Sequence, residues 1–170
     1  MTWPAAVPLA TYRLDLEPLS VAHAEEMVSV LGDPALHAVI GGRPPTLAEL
    51  RERYRRQTGA ADDGSQAWLN WVVRRRDTGA AAGYVQATVH AAGTDLAWVV
   101  GTAHQRLGIA SEAAVAVVTW LTDNGVEVLS AYVAQGHRAS EAVARRVGLR
   151  PSDETLDGEV RWVRRVSRAR

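Results

Sequence analysis

Apolar and polar residues alternate over Thr11 to Leu19 (TYRLDLEPL), which predicts a strand with Tyr12, Leu14 and Leu16 on one face. The period changes after Ser20. Ala24, Met27, Val28 and Leu31 recur at helical spacing, so a helix capped by Ser20 is expected to reach Leu31 and to stop at Gly32 and the Asp33-Pro34 pair. A loop is expected over Ala35 to Pro45. Thr46 and Glu49 have capping-box spacing and open a second helix to about Gln57. A polar loop containing Asp62 and Asp63 follows, and the adjacent pair reads as solvated. Three strand-like runs come next, Trp68–Arg76, Ala81–His90 and Leu96–Val100, joined by short turns. The stripe Ala110, Ala114, Val117, Val118, Leu121 predicts a long helix over Ile109–Asp123, stopped by Asn124 and Gly125. A strand over Glu127–Gln135 completes a strand–helix–strand crossover, so it should lie parallel to Leu96–Val100. Ser140 is expected to open a short helix ending at Gly148, and two strands flank Asp157-Gly158.

Composition narrows the classes. A chain of 170 residues with no internal repeat suits one domain spanning 1–170. No apolar run approaches the roughly 18 residues that span a bilayer, and no basic segment leads an apolar one, so a cytoplasmic protein is expected. A net charge of zero disfavours nucleic acid as a general partner. All 19 basic residues are Arg, so no lysine is present for a P-loop or a Schiff base. With no Cys there is no thiolate nucleophile or thiolate metal site. The five His form no ligand-spaced pair, and no metal is expected.

The chemistry concentrates between the third strand and the long helix, in Gln105-Arg-Leu-Gly108-Ile-Ala110. A helix N-terminus offers unpaired N–H groups and a partial positive charge, and phosphates bind there. Gly108 and Ala110 permit close approach, Arg106 adds charge, and Gln105 adds a neutral donor. The other phosphate motifs, G-x-G-x-x-G and G-x-x-x-x-G-K-[ST], are absent. Two helices before three antiparallel strands, then this motif at the head of a crossover helix, resemble the GNAT superfamily of N-acetyltransferases, whose motif is Gln/Arg-x-x-Gly-x-Gly/Ala. The stretches YRLDLEPLSVAHAEEM and GYVQATV…AWVVG…GIASEA are similar to the branch with ribosomal-protein N-terminal acetyltransferases.

The resemblance implies an α/β (α+β) fold with a mixed, mostly antiparallel sheet, one parallel crossover and helices on both faces. It implies acetyl-CoA as cosubstrate, with main-chain amides from Arg106 through Ile109 and Ala110 to Ser111 on the pyrophosphate. Val99 and Val100 would offer main-chain groups to the pantetheine arm where the parallel strands splay near Gly101. Family members often carry Asn-x-x-Ser at the next helix; here His137 and Ser140 bracket that motif, so the Asn is replaced. His137 is expected to face the cofactor or the thiolate. The helix lacks the Tyr that often protonates that thiolate, and Tyr132 reads as strand packing. Asp95 stands where related branches carry an acid and is the first candidate for the base, against a solvated turn residue; Glu17 and Glu112 are weaker candidates. Trp68, Trp71 and Trp98 are candidates for an acceptor pocket, with Trp68 and Trp71 on opposite strand faces. His37 and Arg43 are expected on an acceptor wall.

The expected reaction is direct acetyl transfer to a primary amine, of a small molecule or a protein N-terminus. A homodimer is compatible with the family. The two departures from the motif leave a non-catalytic acyl-CoA-binding regulatory module as the alternative. The runs RERYRR and RWVRRVSRAR raise a role on RNA, but they read as solvated faces.

Overall fold

The computed structural model describes residues 3–59 and 64–167. Asp62 and Asp63 and the end of the Arg-rich tail lie outside the described residues. The strands are β1 (Leu9–Ala10), β2 (Leu14–Pro18), β3 (Gln66–Arg75), β4 (Ala81–His90), β5 (Gly93–Val100), β6 (Val128–Ala134), β7 (Arg150–Leu156) and β8 (Glu159–Arg165). The helices are α1 (Ala24–Val30), α2 (Pro34–Ile40), α3 (Leu47–Thr58), α4 (Ile109–Asp123) and α5 (Arg138–Arg146). One sheet runs β1-β2-β3-β4-β5-β6-β8-β7, antiparallel at every junction except the parallel β5–β6 pair made by the α4 crossover.

Strand alternation divides the core in two. Leu14, Leu16, Leu69, Trp71 and Val73 point to one face, where α4 covers them with Ala114, Val117 and Leu121 and α5 adds Val143 and Ala144. Val72 and Val99 point to the other, where α1, α2 and α3 supply Met27, Leu36, Leu50 and Tyr54. Helices α1–α3 cover only part of that second face. Ala97 on β5 and Tyr132 on β6 are exposed there. Tyr132 is thus not strand packing.

Several boundaries differ from those expected, each for a local reason. Tyr12 is 94% exposed, because the chain bends before β2 and the alternation starts only at Leu14. A 3-10 turn, Val21–His23, stands between Ser20 and α1. The loop expected over 35–45 holds helix α2. Asp33 and Pro34 do not merely end α1; Asp33 caps α2 by accepting from Ala35 N–H at 2.8 Å, with Pro34 in the first turn. At α5 the cap position is His137, three residues before Ser140. The capping box of Thr46 and Glu49 forms at α3 as expected.

Candidate active site

The β5–α4 joint is shaped by two left-handed residues. Gly108 has φ 76° and Arg106 has φ 63°, with Leu107 between them. A non-glycine in that region is uncommon, and here the backbone is held there from outside. Arg13, just before β2, donates from Nη1 to the Leu107 carbonyl at 2.8 Å and from Nε to Glu112 at 2.7 Å. Thr11 Oγ1 donates to the same carboxylate at 2.6 Å. Burial works to raise the Glu112 carboxyl, but these hydrogen bonds outweigh it and hold the group below its usual value. Arg13 thereby braces the loop and neutralises an anion in the first turn of α4. The first helical bond closes from Glu112 N–H to the Gly108 carbonyl. The N–H groups of Ile109, Ala110 and Ser111 therefore have no intrahelical acceptor.

Beside this cradle the sheet divides. The parallel β5–β6 ladder consists of two pairs, Thr94 with Leu129 and Asp95 with Ser130. From Leu96 to Val100, roughly 17 Å of strand, β5 has no partner on that side. The splay thus begins after Asp95, five residues earlier than the expected position near Gly101. Gly101 N–H donates to the Ala82 carbonyl, and residues pair alternately along an antiparallel ladder. Ala97 and Val99 therefore turn their main-chain groups to β4, whereas Trp98 and Val100 turn theirs to the gap. Of the expected pair, Val100 presents its backbone to the gap and Val99 does not. Gln105 Nε2 donates to the Val100 carbonyl at 3.0 Å, so this amide steadies the strand end rather than projecting as a free donor.

Cradle and gap open into one cleft of about 500 Å³. Trp98, Val99, Val100, Gln105, Arg106, Gly108, Ile109, Ala110, Ser111, His137 and Ser140 all line it. Helix α2, absent from the sequence reading, supplies an apolar wall from Leu36, Val39 and Ile40. Thr102 Oγ1 donates to the cap residue Asp33 at 2.6 Å, which locks that wall to the end of β5. His137 is half-buried, and its ring makes no hydrogen bond among the described residues.

Asp95 sits at the closed end of the fork. Its Oδ1 accepts from Ser130 Oγ, across the last parallel pair, and its Oδ2 meets His90 Nε2 at 3.1 Å. His90 Nδ1 accepts from Ala92 N–H at 3.3 Å, so the ring donates its Nε2 proton to Asp95. Asp95 shares the face of Trp68 and Thr88, its neighbours across β4 and β3. Trp71 does not reach this face. It is fully buried on the α4 side, packs edge-on against Trp120 with centroids 5.7 Å apart and donates to the Val7 carbonyl, so its indole is part of the core, although the residue also borders a small cavity under α3. Trp98 lies on the cleft beside the gap rather than on the open face. Register also places Tyr132 across the gap from Ala97, two residues beyond the Asp95–Ser130 pair.

His37 and Arg43 do meet, in an open groove of about 790 Å³ shared with Arg53 and Tyr84. Neither is free. The His37 ring spans the Leu31 and Gly41 carbonyls at 2.8 and 3.2 Å. Arg43 forms a bidentate pair with Glu49, at 2.6 and 3.0 Å, and lowers that carboxyl to about 2. Glu17 is held elsewhere, bidentate to Arg74, and takes no part in the cleft.

A helix N-terminus with unpaired N–H groups beside a split sheet suits a phosphate-bearing ligand with an extended arm. The description "Acetyltransferase (GNAT) domain" matches residues 13–150. The chain therefore belongs to the GNAT acetyltransferase family, and it is an acetyl-CoA-dependent acetyltransferase. No curated protein matches it in sequence. Among solved structures it is similar to RimL, the ribosomal L7/L12 alpha-N-protein acetyltransferase, in complex with coenzyme A: TM-score 0.80, 17% identity, 94% of this chain and 98% of that one. It is similar to the microcin C7 self-immunity acetyltransferase MccE in complex with acetyl-CoA and AMP, with TM-score 0.75, 14% identity and 92% and 94% of the two chains. A GNAT-family acetyltransferase from Bacillus anthracis gives TM-score 0.77, 15% identity, 94% and 98%. At these identities the likeness establishes the fold.

Proposed function

We propose that the protein moves the acetyl group of acetyl-CoA to a primary amine in one direct step, the amine belonging to a small molecule or a protein N-terminus. The fork carries this reading. A strand edge whose main-chain groups have no strand partner, beside a helix N-terminus, suits an arm that ends in a diphosphate. Ile109, Ala110 and Ser111 N–H hold the diphosphate, and Val100 and Trp98 pair with the arm as a strand edge pairs with an added strand. The likeness to RimL and MccE, whose structures hold coenzyme A and acetyl-CoA, supports the same use of the cleft.

The amine nitrogen attacks the thioester carbonyl from the open face. Asp95 receives the amine proton, directly or through one water, with Ser130 and His90 fixing the carboxylate. A main-chain N–H facing the gap steadies the oxyanion. The C–S bond breaks, and the thiolate takes a proton from Tyr132, which register places across the gap from Ala97, or from His137 on the cleft wall. The chain has no Cys, in keeping with transfer without a thiol intermediate.

The test is release of CoA thiol when purified protein meets acetyl-CoA and a panel of amines. Intersecting initial-rate lines support direct transfer, and parallel lines indicate a covalent intermediate. Acetyl-CoA binding without turnover of any amine leaves a non-catalytic acyl-CoA module.

A further inference from the structure

The open groove between α2 and α3 is bordered by Arg43, Arg53 and Arg56 and by Glu49 and Glu52. Arg43 takes Glu49, and Arg55 and Arg56 share Glu52 at 3.1 and 3.5 Å. Arg53 is left over. It is exposed and makes no hydrogen bond or ion pair among the described residues. Tyr84, on β4, borders the same groove and is half-buried. Its hydroxyl has no hydrogen-bond partner among the described residues either. Burial raises that hydroxyl above its usual value, against the opposing charge of nearby Arg53, so it remains a neutral donor at any working pH. A cation and a neutral donor thus face one groove, and both lack an acceptor.

Register ties this groove to the reaction site. Tyr84 pairs with Val99, on the sheet face that Ala97 shares beside the gap. One strand across and two residues along puts the Tyr84 backbone about 8 Å from that of Ala97. Val99 lines the cleft, and Ile40 lines cleft and groove alike, so the two are contiguous. The guanidinium fork matches a carboxylate bidentately, and a hydroxyl beside it adds a third donor. Water alone can serve an exposed Arg, but an oxygen anion from outside the chain serves Arg53 and the half-buried phenol together.

We propose that Arg53 and Tyr84 form a carboxylate-binding subsite for the acceptor, which selects amines that carry a negative charge several bonds from the reacting nitrogen. Arg53 holds the carboxylate in its guanidinium fork, and the Tyr84 hydroxyl donates to one of the oxygens. The carboxylate belongs to a small ω-amino acid or to an acidic side chain near a peptide N-terminus. Arg43, which the sequence singled out, does not take this part because Glu49 already fills its fork. The proposal rests on the amine-acetylation reading above and names the class of amine.

The experiment pairs each acid with its own amide: glycine, γ-aminobutyrate and ε-aminocaproate, and an alanyl peptide with Glu or Gln at its third position and an amidated C-terminus. The readout is the acid-to-amide ratio of kcat/KM, from CoA thiol release with the full chain at low ionic strength. Comparing that ratio between parent and Arg53→Gln cancels the intrinsic reactivity of each amine. For at least one of the longer acids or the peptide, the ratio is expected to fall about fivefold or more in Arg53→Gln. Glycine, whose carboxylate lies too close to its amine to span the distance, should show no such fall. The pair that responds tells a small-molecule from a peptide source. Arg53→Lys keeps the charge without the fork and retains part of the preference, and Tyr84→Phe loses part of it. Acetyl-CoA affinity by calorimetry, equal to that of the parent, certifies that each variant is folded. A ratio unchanged in Arg53→Gln for every pair, or an equal fall with glycine, overturns the subsite and leaves acetyl transfer standing. Turnover of other amines but of none in these pairs does the same. No turnover of any amine by a protein that binds acetyl-CoA overturns the transfer reading, and the subsite with it.

Discussion

Replacing Gly108 by Ala tests the cradle most directly. A Cβ at this position meets one atom within 4 Å, Arg13 Nη2 at 3.3 Å. That atom ends a flexible side chain and can yield, so the cost is conformational: about 1–2 kcal/mol for an L-residue held left-handed. The ligand-bound loop keeps its turn in either case. If the free loop keeps it too, the cost falls on folding, and the melting temperature drops by about 2–8 °C for a chain of this size. If the free loop relaxes, stability is retained but the ligand must restore the turn, and acetyl-CoA affinity falls about 5- to 30-fold. The two losses therefore add to one constant. Gly125→Ala is the control, since Gly125 has φ 88°, no atom within 4 Å and a place beyond the far end of α4. It should lose similar stability and no affinity. Scanning calorimetry and titration calorimetry with acetyl-CoA measure both quantities. A Gly108→Ala protein unchanged in both, or a Gly125→Ala protein with equally weakened binding, refutes the reasoning.

At Gly83 a Cβ would lie 2.1 Å from the Val99 carbonyl oxygen and 2.9 Å from the Val100 Cα. Backbone cannot yield as a side chain can, so Gly83→Ala should destabilise by about 3 kcal/mol or more, read by denaturant unfolding. Arg13→Ala unbraces Leu107 and frees the Glu112 carboxylate beside the cradle, and acetyl-CoA affinity should fall about tenfold. Adding Glu112→Gln should restore part of that loss, whereas no recovery would mean that Arg13 meets the ligand itself. Hydrogen bonding to Arg74 lowers the Glu17 carboxyl from 4.5 to about 2. Its contribution to stability is therefore complete above pH 4.5 and fades as pH falls towards 2. Arg74→Met should raise the midpoint of acid unfolding, followed by circular dichroism, and an unmoved midpoint would count against the pair.

Local signals carried much of this molecule. Strand β4 and helix α4 lie where alternation and helical spacing place them, and five of the six residues from Gln105 to Ala110, all but Leu107, line the cleft. Helix α2 was missed: an Asp-Pro pair can both end one helix and start the next, but the two glycines after Ile40 disguised a helix of only seven residues as loop. Period two correctly put Trp68 and Trp71 on opposite faces. It carries no information on which face α4 covers, and that decided which Trp is core. Arg13 reaches Glu112 across 99 positions of sequence, a contact no local pattern announces. The depth of the fork was hidden for the same reason, because parallel register depends on how α4 seats the second strand. Gln105 shows the limit of a motif: the residue is where the pattern expects it, and its amide faces inward to Val100.

The parallel ladder of two pairs has a mechanical consequence. Strands β1–β5 and β6–β8 are two panels, each stitched by its own antiparallel ladders, and they meet laterally only at Thr94–Leu129 and Asp95–Ser130. Those rungs close one end of the fork beside the Asp95 carboxylate, and α4 and α5 bind both panels through one continuous apolar core, so the mouth stands open as part of the fold and a guest enters without unzipping either panel.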